Sequence, residues 1–362
     1  MIIQDIQVGS ISLPLARPFK TALRTVDRVE DVVVRIVADN GAVGYGEAPP
    51  TAVITGDTIG SITCAIRDFI RPALLGRDVE DLEGNMAALS RCILKNTSAK
   101  AAVDMALYDL WAKRWNAPLY RLLGGARSTF QTDITISVNP VDEMVADSLD
   151  AVSKGFSILK IKVGKEGLAD VERIAAIRAA VGSDVALRVD ANQGWTAKDS
   201  VAIISALEDK GLNIDLVEQP VSAHDIDGMV YVTERVQTPI LADESVFSPA
   251  DALELIRRHG ADLINIKLMK TGGIHEALKL CDVAQLSGVE CMIGCMLESK
   301  LAVSAAAHLC CGKGIITRAD LDGPSLCAID PFVGGPVFDG PTVSMTDAPG
   351  IGITSVPCEH WS

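Results

Sequence analysis

Four short apolar runs in the second half of the chain each end on a charged residue at nearly even spacing: A-L-R-V-Asp190, D-L-V-Glu218, I-L-A-Asp243 and I-N-I-Lys267. The steps of 28, 25 and 24 residues (218 − 190, 243 − 218, 267 − 243) each match one strand, one helix and two loops. A β/α repeat of this period closes into a barrel whose strands all end at one mouth, so three carboxylates and an amine converge there.

From Phe130 onward, candidate strands alternate with helical patterns. T-D-I-T-I-S, I-L-K-I-K-V, V-A-L-R-V-D, D-L-V-E, I-L-A-D, L-I-N-I-K-L, E-C-M-I-G-C and I-I-T-R-A-D-L-D make eight, with helices expected over segments such as 166–181 and 198–210. Eight strands close a barrel. The first part has another rhythm. Ile6, Val8, Ile11 and Leu13 suggest one strand, while V-V-V-R-I-V-A and A-V-G-Y-G-E-A flank Asp39-Asn40-Gly41, a turn that suits a hairpin. Helical patterns over 58–75, 80–94 and 98–115 follow, the last with Ser98 as an expected N-cap. The predicted architecture is α/β: a modified TIM (β/α) barrel over 126–322 with an N-terminal α+β capping domain over 1–125. A Pro- and Gly-rich segment, 323–362, is expected to return toward the capping domain.

A length of 362 residues accommodates both parts and a large core. The formal charge of −14 speaks against nucleic acid as a partner, since a phosphate backbone is gripped by Lys and Arg that displace counterions. Nine cysteines without paired spacing, Cys310 and Cys311 being adjacent, point to a reducing cytoplasm. Asp5 interrupts the apolar start, so no signal peptide is expected. No apolar run approaches the about 18 residues of a membrane helix, and no membrane partner is expected.

Asp190, Glu218 and Asp243 on adjacent strands offer three hard oxygen ligands to one side of an octahedral shell, which suits Mg²⁺ and leaves room opposite for a substrate. Zinc is disfavoured, because no His or Cys cluster stands at these strand ends. Taken singly, each acid could equally cap a helix or pair with a base. Three carboxylates on one Mg²⁺ call for cations nearby, and the chain supplies them. Lys160 and Lys162, two apart on one strand, point to the same side of the sheet. The alternative, both outward in solvent, conflicts with the helices that cover a barrel's outer face. Lys267 stands four strands from Lys162, across the barrel.

A carbon acid next to a carboxylate loses its proton only if the resulting enolate is stabilised, which a metal held by that carboxylate does electrostatically. A lysine serves as base only when neutral, and burial beside Mg²⁺ and a second ammonium is expected to lower its pKa. Two such lysines on opposite faces imply racemisation or epimerisation. One base plus a merely electrostatic lysine suits elimination or cycloisomerisation.

The segments K-I-K, V-D-A-N, V-E-Q-P, A-D-E-S and N-I-K-L, with T-G-G-I after Lys267 and G-Y-G-E-A near the amino end, resemble the enolase superfamily in its muconate-lactonizing subgroup over nearly the whole chain. Sites of that superfamily use a Lys or His base with Mg²⁺. E-C-M-I-G-C-M-L-E-S at the seventh strand holds no His, which sets the chain apart from mandelate-racemase-like relatives. The resemblance implies Lys162 and Lys267 as acid/base catalysts, Lys160 as an electrostatic aid to the substrate carboxylate, and Thr135 as a substrate contact.

Asp320-Leu321-Asp322 resembles the D-x-D of dipeptide epimerases. Carboxylates at i and i+2 of a strand end share one side and suit the ammonium of a substrate's amino terminus, with capping of the next turn as the structural alternative. Arg24 in T-A-L-R-T resembles the arginine that holds a glutamate side chain in such enzymes, with Ile54 nearby. The loops around 17–30 and 50–58 form the expected lid, and Met296 is an expected specificity contact.

The implied activity is Mg²⁺-dependent epimerisation of a dipeptide at the α-carbon of its C-terminal residue, L-Ala-D/L-Glu from cell-wall peptide turnover, by a cytoplasmic homo-oligomer. Cycloisomerase, o-succinylbenzoate synthase or N-acylamino-acid racemase chemistry is the alternative, disfavoured by Asp320 and Asp322 because those substrates present no free ammonium. A non-catalytic peptide-binding barrel has no use for two costly buried amines.

Overall fold

Alternating short strands and helices build the larger part of the molecule, as a computed structural model describing residues 1–20, 25–164 and 166–362 makes plain. The eight expected strands form one parallel sheet in chain order: Ile134–Ile136, Ile158–Lys162, Ala186–Asp190, Ile214–Glu218, Ile240–Ala242, Leu263–Ile266, Glu290–Gly294 and Ile316–Asp320. The sheet curls until its eighth and first strands meet. There the Asp133 N–H donates to the Ala319 carbonyl at 3.3 Å. Arg188 seals the seam from within, its Nη1 lying 2.7 Å from Asp133 Oδ2 and 3.1 Å from the Ala319 carbonyl. The result is a nearly closed barrel.

Strand periodicity sorts the side chains. Leu159 and Ile161 pack outward in the main core, while Lys160 and Lys162 stay on the luminal side, buried with them. Leu216, Leu241, Leu263 and Met292 form a separate buried cluster from strands four to seven. Two residues further along the same strands stand Glu218, Asp243 and Asn265, so an apolar plug underlies a polar mouth. The expected helices are Ala169–Val181 and Ala197–Asp209, the second capped by Thr196, whose side chain accepts from the Asp199 N–H.

The amino-terminal part is an antiparallel sheet of Ile3–Lys20, Thr25–Ala38 and Val43–Ala48, with the anticipated hairpin closing at Val37 and Val43. Two local readings need correction. Ser98 does not cap its helix: Thr97–Arg114 begins after Asn96 in the left-handed conformation, and the Ser98 N–H is satisfied by Asp57 Oδ2 at 3.1 Å. Nor are the described residues of 17–30 a loop, since Phe19 pairs with Val26 and Lys20 with Thr25 in a ribbon that extends the sheet. That ribbon reaches the barrel, where Lys20 Nζ donates to Asn139 Oδ1 at 2.8 Å. Within the expected loop over 50–58, residues 52–55 are turns and the others are neither helix nor strand.

Helix Thr97–Arg114 is buried on almost every side because it is wedged between the small sheet and the barrel. Gly44 and Gly46 permit this: a Cβ on either would come within 2.1 Å of the Ala106 carbonyl oxygen or 1.9 Å of that of Ala102. Glu47, next in the same motif, accepts from the Ser299 N–H (2.8 Å), the Ser299 hydroxyl (2.6 Å) and the Ala302 N–H (2.8 Å), capping the barrel helix Lys300–Gly312. G-Y-G-E-A is thus the fastener between the two parts. At the far end of the chain, Ser362 and Val8 exchange backbone hydrogen bonds of 3.0 and 2.9 Å. Among the described residues, no helix is long and apolar enough to cross a membrane.

His308, within that barrel helix, accepts from the Tyr120 N–H at 2.9 Å through Nδ1, and burial pushes its pKa down to about 3. The unfolded chain therefore binds a proton below pH 6.5 that the native state refuses, so this contribution to stability is complete above 6.5 and is lost as pH falls. Between pH 6.5 and 5 the expected loss is about 1.5–2 kcal/mol. Urea denaturation of the wild type and His308→Gln at both pH values checks it; equal slopes for the two proteins would refute it.

Candidate active site

The expected acid/base lysines and metal-holding acids stand where their strands stop. Lys162, Asp190 and Glu218 are the last residues of strands two, three and four, while Asp243 and Lys267 follow strands five and six by one. Lys160 Nζ lies 2.7 Å from Glu218 Oε2, 3.1 Å from Asp190 Oδ2 and 2.6 Å from Asp320 Oδ2. Lys162 Nζ lies 2.6 Å from Asp190 Oδ2, and Lys267 Nζ 2.6 Å from Asp243 Oδ2. One ammonium therefore spans two of the three acids and reaches the first carboxylate of the D-x-D as well.

Above this network lies a cavity of about 70 Å³ lined by Thr135, Lys160, Lys162, Lys267, Met296, Asp320 and Asp322. Phe19, Thr51 and Ile54 close it from the amino-terminal part. Lys162 and Lys267 enter from the second and sixth of eight strands, positions opposite each other around the barrel. Asp322 Oδ2 accepts from the Thr135 N–H at 2.7 Å, fixing the second D-x-D carboxylate to the first strand. Arg24 lies outside the described residues.

Charges this deeply buried shift one another. Burial pushes Asp190 and Asp243 up, but the facing lysines outweigh it and hold both carboxyls well below the usual range. Glu218 goes the other way, raised by burial and by Asp190 beside it. Asp322 is raised by burial and Asp320, whereas Asp320 is held down by Lys160 against burial. The expected fall in the pKa of the base is absent for Lys267: burial lowers it, yet Asp243 outweighs burial and raises it. The partner that would have to be withdrawn is a carboxylate of the triad itself.

Fit to a divalent cation can be judged from the oxygens. Among the described residues no three His, Cys, Asp or Glu side chains converge in ligating geometry, because ammonium groups stand between the acids. Six buried carboxyls (Asp190, Glu218, Asp243, Glu244, Asp320, Asp322) face four buried ammonium groups (Lys160, Lys162, Lys267, Lys270), two charges short of neutrality when all are ionised. Asn192 Oδ1 and Glu244 Oε2 are buried without a hydrogen-bond partner among the described residues, and both residues line the cavity. Buried orphan oxygens and an excess of carboxyls over ammonium groups are what a site for Mg²⁺ presents.

Sequence reasoning missed several members. Asn265 donates from Nδ2 to Glu218 Oε1 at 2.9 Å; its place two residues before Lys267 on one strand was the available signal. Gln219 Oε1 accepts from the N–H groups of Asp243 (3.0 Å) and Ser245 (3.1 Å), shaping the neighbouring strand end. Lys270, fully buried, lies 2.6 Å from Asp243 Oδ1. Nothing local in the sequence marks it.

Residues 4–124 match the mandelate racemase/muconate lactonizing enzyme N-terminal domain, and residues 143–357 match the enolase C-terminal domain-like family. The chain is 53% identical over 356 residues to the L-Ala-D/L-Glu epimerase of Clostridium acetobutylicum, covering 98% of this chain and 99% of that protein. Its fold superposes with a TM-score of 0.96 on a substrate-liganded complex of the L-Ala-D/L-Glu epimerase from Bacillus subtilis, 52% identical, covering 98% and 99% of the two chains. A dipeptide epimerase from Enterococcus faecalis in complex with Mg and the dipeptide L-Leu-L-Tyr superposes at 0.95 with 42% identity, covering 98% and 100%. With the strand-end acids and lysines in place and both family models matched, the chain belongs to the mandelate racemase/muconate lactonizing enzyme family of the enolase superfamily.

Proposed function

We propose that this protein is an isomerase that inverts the α-carbon of the C-terminal residue of a dipeptide, with L-Ala-D/L-Glu as substrate and Mg²⁺ as cofactor. One observation carries the reading: two lysines from opposite strands line the same small cavity as a pair of strand-end aspartates. Asp190, Glu218 and Asp243 would hold Mg²⁺, which would supply fixed positive charge beside the deprotonated substrate; with Asp243 so engaged, Lys267 would lose the partner that raises it.

The remaining steps belong to the side chains. Asp320 and Asp322 hold the substrate's ammonium, which sets the amino end toward the eighth strand. Lys160, released from its acids, turns to the substrate's terminal carboxylate. For one enantiomer, the first lysine takes the α-proton as the C–H bond breaks and its electron pair enters the adjacent carboxyl system. The opposing lysine then delivers a proton to the other face. For the mirror enantiomer the roles exchange. Thr135 and Met296 contact the substrate, and Phe19 and Ile54 exclude water from above.

Incubation with Mg²⁺ and L-Ala-L-Glu in deuterated water, followed by NMR of the second residue's α-proton, tests this. Loss of the α-proton signal together with formation of L-Ala-D-Glu is expected. No exchange over a panel of dipeptides, with turnover of N-acylamino acids or cycloisomerase substrates instead, would reject the dipeptide reading.

A further inference from the structure

Lys270 has no place in the reaction outlined above, yet it is among the largest fully buried side chains. An ammonium in that position is tolerated only where its donors are all engaged. Three oxygens surround it: Nζ donates to the Asn265 carbonyl at 3.0 Å and to the Asp243 carbonyl, and forms an ion pair with Asp243 Oδ1 at 2.6 Å. Lys267 and Lys270 belong to one tight turn, Lys267 being the N-cap of the short helix Leu268–Thr271 on which Lys270 sits. From that turn they divide one carboxylate between them, Lys267 on Oδ2 and Lys270 on Oδ1.

We infer that Lys270 is a positioning residue for the metal centre: it anchors Asp243 by its inner oxygen and its backbone, so that only the outer oxygen is shared between Lys267 and a divalent cation. The inference rests on the reading of Asp243 as a metal ligand. Lys270 does not line the catalytic cavity, so it acts through Asp243 and not on substrate. Without it, Asp243 is free to rotate and give both oxygens to Lys267. Groups that orient a metal ligand in this way typically account for about 10–100-fold in metal affinity.

The sign of the effect separates positioning from simple charge. Removing a buried positive charge beside a cation site strengthens cation binding by Coulomb attraction alone; losing the anchor weakens it. Mn²⁺ titration followed by electron paramagnetic resonance, on wild type, Lys270→Met, Asp243→Asn and the double variant, reads this directly. Lys270→Met is expected to bind Mn²⁺ about 10–100-fold more weakly, and to have little further effect in the Asp243→Asn background.

Unchanged or tighter Mn²⁺ binding by a folded Lys270→Met protein overturns the inference and leaves the metal site standing. A wild type that takes up no Mn²⁺ overturns the metal reading and this inference with it. Thermal melting controls for folding. Should Lys270→Met not fold, Lys270→Arg keeps the charge and its donors on a longer, planar head that cannot reproduce the same three contacts; weakened Mn²⁺ binding by that variant supports the inference, and native affinity overturns it.

Discussion

Lys162→Ala and Lys267→Ala are each expected to abolish inversion, with a loss in kcat/KM for epimerisation at the upper end of the about 10²–10⁴-fold range that a positioned acid or base supplies. The two variants should differ in what survives. Each retains one lysine, on one face of the cavity, and that lysine can still remove the α-proton of the enantiomer presented to it. Lys162→Ala should therefore exchange the α-proton of one enantiomer of the second residue, and Lys267→Ala that of the other, in neither case with inversion. NMR in deuterated water, started separately from L-Ala-L-Glu and L-Ala-D-Glu, gives four rates. Continued epimerisation by Lys267→Ala would falsify the two-base assignment.

Glu218→Gln is the second large effect, and it carries opposite signs for function and for stability. The substitution keeps the shape of the side chain and one acceptor oxygen for either Lys160 or Asn265, but it removes one of three carboxylates proposed to hold Mg²⁺. Divalent affinity, read by calorimetry, should fall by at least tenfold, and epimerisation should be lost at ordinary Mg²⁺ concentrations. Stability runs the other way. Burial and Asp190 press the Glu218 carboxyl toward its protonated form, so the native state holds a proton that the unfolded chain releases above about pH 4.5. That costs stability as pH rises, and a neutral glutamine removes the cost. The metal-free variant should melt at the same temperature as the metal-free wild type or higher, and should no longer gain from added Mg²⁺. Native Mg²⁺ affinity in Glu218→Gln would exclude this residue from the metal centre.

Much of the barrel is legible in the chain because its signals are local. Alternation along I-L-K-I-K-V predicts which side Lys160 and Lys162 face, and an interval near 25 residues predicts that Asp190, Glu218 and Asp243 stand at neighbouring strand ends. Both readings depend only on strand pleating and on the length of one β/α unit. The lid is legible only in part: Thr51 and Ile54 do line the cavity, whereas the stretch expected as a loop over 17–30 is ribbon wherever it is described, because Phe19 and Lys20 find strand partners across it. Ser98 misleads for a related reason. A serine at a helix start is a good local cap, but here Asp57, 41 residues away, reaches the free N–H first.

By itself, then, the sequence determined the strand count, the order of the units, the inward lysines and the ring of acids, all set by contacts among residues close in the chain. Tertiary structure alone decided which ammonium meets which carboxylate: that Lys160 bridges Asp190, Glu218 and Asp320, that Lys270 lies against Asp243, and that Glu47 caps a helix 252 residues away. Pairings of this kind depend on distances across the barrel and on which charges are left together when water is excluded, and no repeat in a linear chain encodes them.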